Sequence, residues 1–194
     1  MTAVPAEAAA CDLGAAEVVA GGVGPAAAAA AAAYLLARSS YDAVISAGVG
    51  GGVPGVEVGT LALASAVAFA DLGAQTPDGF VPVSRLGVGM DHYPAALCQA
   101  LAARVDAAVG TVLTVATVTG SAQTADQLRT RHPDAVAEGM EGFGVAEAAA
   151  RAGVPFGEVR AISNAVGPRD RSSWRLDLAL SALRAAFDAI GDLS

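Results

Sequence analysis

The 194-residue chain is short of positive charge: eleven Lys and Arg stand against nineteen Asp and Glu, a formal net charge of -8. Such a surface repels nucleic-acid phosphates and anionic lipid, and the basic residues form no cluster before the C-terminal third. A small-molecule partner is expected, not nucleic acid and not a membrane. Cysteine is scarce as well. Cys11 and Cys98 make no disulfide framework, so a reducing cytoplasm is the expected compartment. No basic stretch followed by an apolar run opens the chain, which argues against a secretory leader. The longest apolar run, Pro25 to Ala37, is too short to cross a bilayer and is bounded by Gly24 and Arg38. The two histidines, His92 and His132, lack partners at ligand spacing, so no metal and no cofactor is expected.

What the chain has in quantity is small apolar residues: 54% are hydrophobic, much of that alanine. The length suits a single domain, residues 1–194, with interior enough for a core. Glu17 to Val23 reads as a short strand, and Pro25 starts a helix to about Arg38. Asp42 to Ala47 repeats the strand signal, Gly48 to Gly55 reads as a glycine-rich loop, and Val56 to Phe69 as a second β-like run. After a polar loop near Gln75 to Gly79, a helix is expected over Pro94 to Val105 and a β-branched strand over Thr111 to Thr119. Thr124 to Arg131 reads as a helix, Asp134 to Glu138 as a strand, Gly142 to Arg151 as a helix and Phe156 to Ser163 as a strand. A last helix spans about Ser173 to Ile190. This alternation points to an α/β fold, with helices on both faces of a central mixed sheet.

Gly50, Gly52 and Gly55 satisfy the letters of a dinucleotide-binding fingerprint, with Asp71 near the expected ribose-binding acid. That fingerprint must open a helix, whereas Pro54 and the alternating run after Gly55 argue for a strand. A tight turn built on glycine is the plainer alternative.

Four segments are more specific together than apart: Thr2-Ala3-Val4-Pro5-Ala6-Glu7, Ser46-Ala47-Gly48-Val49-Gly50-Gly51, Gly139-Met140-Glu141-Gly142-Phe143-Gly144 and Arg160-Ala161-Ile162-Ser163-Asn164. In order and spacing they resemble the nucleoside phosphorylase superfamily. The opening segment, with Ala70-Asp71-Leu72-Gly73-Ala74-Gln75-Thr76-Pro77 and Ser163-Asn164-Ala165-Val166-Gly167-Pro168-Arg169-Asp170, is similar to the futalosine hydrolase family of menaquinone-pathway nucleosidases. The resemblance implies a three-layer α/β/α fold with a twisted mixed sheet, and an oligomer of at least two copies.

It also implies roles. Glu141, after Met140, falls on the glutamate that grips the ribose hydroxyls, although such an acid can equally serve a helix N-terminus. Glu7 falls on the general base that activates water, although a solvated first-turn residue is the bland reading. Arg160 falls on the arginine that orients them. Gly48 belongs to the glycine loop of the site, and Ser163 precedes the base-binding position. Asn164 stands where adenine-cleaving relatives place an aspartic acid. An amide cannot protonate a purine, but it suits the mixed donor and acceptor pattern of a 6-oxopurine such as hypoxanthine. Gln123 and Thr124 are implied beside the base, and Ser65 near the sugar or water. Arg169 and Trp174 are candidates for a carboxyphenyl tail, with a solvated loop as the alternative.

Three other readings compete. A phosphorylase needs basic side chains around phosphate, and Met1 to Gly24 contains no Arg or Lys. A methylthioadenosine or adenosylhomocysteine nucleosidase conflicts with Asn164. A binding protein without catalysis stays open because family members open with a full strand, whereas only Met1 precedes Thr2 here. The first strand is expected to be missing or shortened.

Overall fold

The computed structural model describes residues 1–11, 14 and 16–191. Its helices are α1 (Pro5–Ala10), α2 (Pro25–Arg38), α3 (Cys98–Ala102), α4 (Ala122–Arg131), α5 (Gly142–Ala152) and α6 (Leu176–Ile190). The strands are β1 (Val44–Gly52), β2 (Leu61–Phe69), β3 (Gly73–Thr76), β4 (Gly79–Pro82), β5 (His92–Pro94), β6 (Ala108–Thr114), β7 (Ala135–Gly139) and β8 (Phe156–Ala165). Six of them form one mixed sheet in the order β5-β2-β6-β7-β1-β8, and a further β2–β8 pairing curls it back on itself. β1 and β8 run parallel, as do β2, β6 and β7; the two groups meet in antiparallel pairs. β3 and β4 form a separate hairpin where a plain polar loop was expected.

Strand alternation sends side chains to two faces, and each face is covered by helices. On one, Ala62, Ala64 and Ile162 of the sheet pack with Ala28 and Ala32 of α2 and with Phe143, Val145 and Ala149 of α5. On the other, Leu61, Leu63, Val159 and Ala161 meet Ala10 of α1, Leu101 of α3, and Leu183, Phe187 and Ile190 of α6. Alanine explains the closeness of the first layer. A Cβ at Gly144 of α5 would stand 2.2 Å from the Pro25 carbonyl oxygen, so the two helices nearly touch backbones. α2 begins at Gly24, whose φ of 91° suits glycine, with Pro25 at the first helical position.

Several boundaries differ from the sequence reading. β1 continues through Gly52, so half of the expected glycine loop is strand. Val56 to Thr60 is turn, not strand, and β2 starts at Leu61. β6 ends at Thr114 instead of Thr119, and α3 keeps only the middle of the helix expected over Pro94 to Val105. Glu17 to Val23 is not a strand: only Ala20 bridges, in parallel, to Thr2. Met1 lies beside β1, its ammonium donating to Ile45 O at 2.8 Å and its carbonyl accepting from Ala47 N at 2.8 Å. Among the described residues, no helix is long and apolar enough to cross a membrane.

Candidate active site

Arg160 is the centre from which the site is built. It sits in the middle of β8, is 1% exposed, and is the largest fully buried side chain among the described residues. A guanidinium in that position must have its donors satisfied and its charge compensated. Nε donates to Glu158 Oε1 at 2.7 Å, Nη2 donates to Ser46 Oγ at 3.0 Å, and Nη1 lies 3.3 Å from Glu141 Oε2. Burial alone would weaken the charge, but Glu158, Glu141 and Glu7 outweigh it and hold the guanidinium protonated well above its ordinary range.

Glu7 approaches the same guanidinium from α1 without an ion pair to it, and its charge acts on it across Gly48. It is 4% exposed, and both carboxylate oxygens are engaged. Oε2 accepts from the amides of Ala3 (2.9 Å) and Val4 (3.2 Å), and Oε1 from the amide of Val49 (2.9 Å). The first-turn capping role is therefore real. It accompanies a buried position instead of a solvated one. Gly48 separates the two charges: a Cβ there would stand 2.6 Å from Glu7 Oε1 and 2.8 Å from Arg160 Nη1. Glycine at 48 is a matter of room.

Glu141 is likewise buried, at the entry to α5. Its Oε1 accepts from Gly24 N at 3.1 Å and its Oε2 from Met140 N at 3.3 Å, so the cap of α2 and the Met140 backbone orient it. Arg160 therefore joins a carboxylate from α1 to one from α5 across β1 and β8.

The base-binding candidates lie farther along β8, toward its carboxyl end. Ser163 is buried; its hydroxyl donates to Asn164 Oδ1 at 2.8 Å and lies 3.2 Å from Gly50 O. Asn164 is half-buried and donates through Nδ2 to Ala165 O at 3.0 Å, which leaves one Nδ2–H for another acceptor. Asn164 is in register with Gly51, and Gly51 with Glu138 of β7, so these side chains share one row across the sheet.

The remaining candidates are peripheral. Gln123 and Thr124 are exposed in the first turn of α4, where Thr124 N is capped by Ser121 Oγ at 3.1 Å. Ser65 is exposed at the irregularity where β2 shifts register against β6. Trp174 is half-buried beneath two guanidinium groups, with Arg169 Cζ at 5.2 Å and Arg171 Cζ at 6.0 Å from the ring centre. Arg169 N donates to Gly120 O at 3.3 Å, which ties this loop to the approach of α4. None of these five is hydrogen-bonded or ion-paired to Glu7, Arg160 or Glu141.

Sequence reasoning missed Glu158, Glu138 and Gly24. Glu158 stands two residues before Arg160, hence on the same face of β8, and that spacing was the available signal. Burial pushes its carboxyl up, against the opposing pull of Arg160. Glu138 is also pushed up by burial; it accepts from Thr119 N at 2.9 Å and braces the loop after β6. A cavity of about 760 Å³ lies elsewhere, walled by Met1, Cys11, Leu36, Val44, Ile45 and Phe187 among others. It is lined by none of Glu7, Glu141, Glu158 and Arg160, so the chemistry, not the volume, places the candidate site. Among the described residues no cluster of His, Cys, Asp and Glu has the makings of a metal site.

A buried arginine flanked by carboxylates stands next to a polar strand end. The profile of the Phosphorylase superfamily matches residues 12–190, and the chain belongs to that superfamily. Its similarity is narrower still. It is 54% identical to a futalosine hydrolase of Streptomyces coelicolor, over 92% of this chain and 78% of the relative. It is 47% identical to that of Acidothermus cellulolyticus, over 91% and 75%. Among solved structures, a 5'-methylthioadenosine/S-adenosylhomocysteine nucleosidase from Neisseria meningitidis, in complex with methylthio-immucillin-A, superposes with a TM-score of 0.77 at 21% identity, covering 96% of this chain and 95% of that one. The Helicobacter pylori enzyme with butyl-thio-DADMe-Immucillin-A gives 0.80 at 16% identity, over 97% and 94%. These structures bear out the expected mixed sheet flanked by helices.

Proposed function

We infer that the chain hydrolyses the N-glycosidic bond of futalosine, releasing hypoxanthine and dehypoxanthine futalosine as a step of menaquinone biosynthesis. The reading of the reaction rests on one observation: Glu141, at the entry to α5, is ion-paired to the buried Arg160, and Glu7 of α1 faces the same guanidinium across Gly48. The futalosine hydrolases that the chain resembles at 54% and 47% identity narrow the substrate.

Glu7 takes the proton of the attacking water, and Arg160, fixed on its other sides, orients Glu7 and the water. Gly48 leaves the space in which they meet. Glu141, steadied by Gly24 N–H, Met140 N–H and Arg160, accepts the ribose hydroxyls and so favours the cation-like sugar of the transition state. Ser163 turns Asn164 so that its free Nδ2–H faces the departing base, where it stabilises the growing negative charge. Gln123 and Thr124 border the base, Ser65 the sugar, and the stacked Arg169 and Trp174 meet the carboxyphenyl tail. No cofactor enters this scheme. Two unpaired thiols suit the cytoplasm. A homo-oligomer belongs to the same reading, because Leu86, Val88 and Met90 are 45%, 75% and 51% exposed; light scattering reads it.

The role of Asn164 is tested by Asn164→Asp. An acid there supplies the proton that an adenine leaving group needs. The ratio of kcat/KM for methylthioadenosine to that for futalosine is expected to rise about 10-fold or more. An unchanged ratio removes Asn164 from base selection.

A further inference from the structure

We propose that Glu158 is a positioning residue for glycosidic-bond hydrolysis, acting through Arg160 as an ionised counter-charge that sets how strongly the arginine pulls on Glu7. The proposal rests on the reading of Glu7 as general base.

The geometry ties Glu158 to Arg160. The Glu158 side chain is 0% exposed, so it does not open to the surface. It occupies the same face of β8 as Arg160, and its Oε1 takes the Nε proton at 2.7 Å. With Ser46 on Nη2, this contact fixes the guanidinium at two corners and leaves Nη1 directed at Glu141 and toward Gly48 and Glu7. Its other oxygen, Oε2, has no hydrogen-bond partner among the described residues. A Cβ on Gly142 would lie 2.0 Å from it. Glycine at the first position of α5 therefore makes room for this carboxylate, whose charge also faces the positive end of an 11-residue helix.

Why a second buried carboxylate behind the arginine matters follows from charge. An arginine compensated only by Glu7 and Glu141 would hold both tightly, and a base held tightly by a cation is a weak base. Glu158 takes part of that attraction from behind. The charged and titratable groups around Glu7 are the Met1 ammonium and Cys11 on its own side, Arg160 and Glu158 on β8, Glu141 at α5, and Arg184 of α6 next to Cys11. Of these, Glu158 is the acid that faces Arg160 from behind, at Nε, while Glu141 shares the Nη1 side with Glu7.

The test compares futalosine hydrolysis by the full chain and by Glu158→Gln, which keeps an acceptor for Nε and removes the charge. The expected result is a fall in kcat of about 10-fold or more with KM within about 2-fold, and an acid limb of the kcat/KM profile displaced to lower pH. Ser46→Ala, which loosens the same guanidinium without changing charge, should leave that limb where it is. A merely structural Glu158 lowers the melting temperature and moves neither kcat nor the limb; that outcome overturns the proposal. If Glu158→Gln does not fold, Glu158→Asp decides: it keeps the charge but withdraws it from Nε, so kcat should fall and the limb should move to lower pH, both less than the full loss of charge would give, and a limb in its wild-type place overturns the idea. Glu7→Gln is run in parallel. If it keeps full activity, the reading of Glu7 fails; if it is inactive while Glu158→Gln behaves as wild type, only the role of Glu158 fails.

Discussion

Glu7→Gln is expected to lower kcat for futalosine hydrolysis by about 100- to 10,000-fold, the range that a positioned general base contributes. The substitution is nearly isosteric, yet it is not silent in the fold. Three backbone N–H groups, from Ala3, Val4 and Val49, donate to the two carboxylate oxygens. An amide offers one oxygen, so at least one N–H must face an NH2 group. The cost is about 1–3 kcal/mol. Thermal melting alongside single-turnover release of hypoxanthine separates the two effects. A variant folded at the assay temperature and still fully active would place the base elsewhere.

Arg160→Met should produce the largest loss of stability, about 3–5 kcal/mol, because it strands Glu158 and Glu141 in a site that excludes water. Methionine fills much of the volume, so the loss is electrostatic more than a cavity effect. Its pH dependence has a definite sign. Burial already raises the Glu158 carboxyl, and removal of Arg160 leaves that push unopposed. The folded variant then binds the proton at pH values where the unfolded chain has released it. Its stability is therefore greatest below the ordinary glutamate range and declines as the pH rises from that range up through the raised value of the folded state. Urea denaturation at several pH values measures this, and a flat dependence would mean that Glu158 does not depend on Arg160.

The same buried network explains which parts of the molecule were legible in the sequence. Long periodic elements such as α2 and α6 announce themselves by alanine and leucine spacing, and α5 ends at Gly153 with a φ of 69°, a familiar stop signal. Gly48 to Gly52 misleads, because glycine is depleted in strands. Here it is demanded by neighbours that no local pattern reveals. A Cβ at Gly50 would be 2.8 Å from Glu138 O, and one at Gly52 would be 2.6 Å from Val56 O. Glu17 to Val23 has strand composition but only a single bridge, since pairing depends on what lies alongside and not on the segment itself. Glu7, Arg160 and Glu141 were singled out by motif, and the structure brings them together. Gln123, Thr124, Ser65, Arg169 and Trp174 stand apart from that cluster. Glu158 went unremarked although a charged residue amid Phe156, Val159, Ala161 and Ile162 is costly unless paired, and its partner is two residues away.

Hydrolysis of futalosine requires water as the nucleophile. The most direct measurement is hypoxanthine release by the purified chain in phosphate-free buffer made with 18O water, with inosine and methylthioadenosine in parallel. A hydrolase releases hypoxanthine from futalosine in preference to the other two, without dependence on phosphate, and leaves one 18O atom in the sugar product. Release only when phosphate is added, or no release from futalosine, would contradict futalosine hydrolysis by this chain.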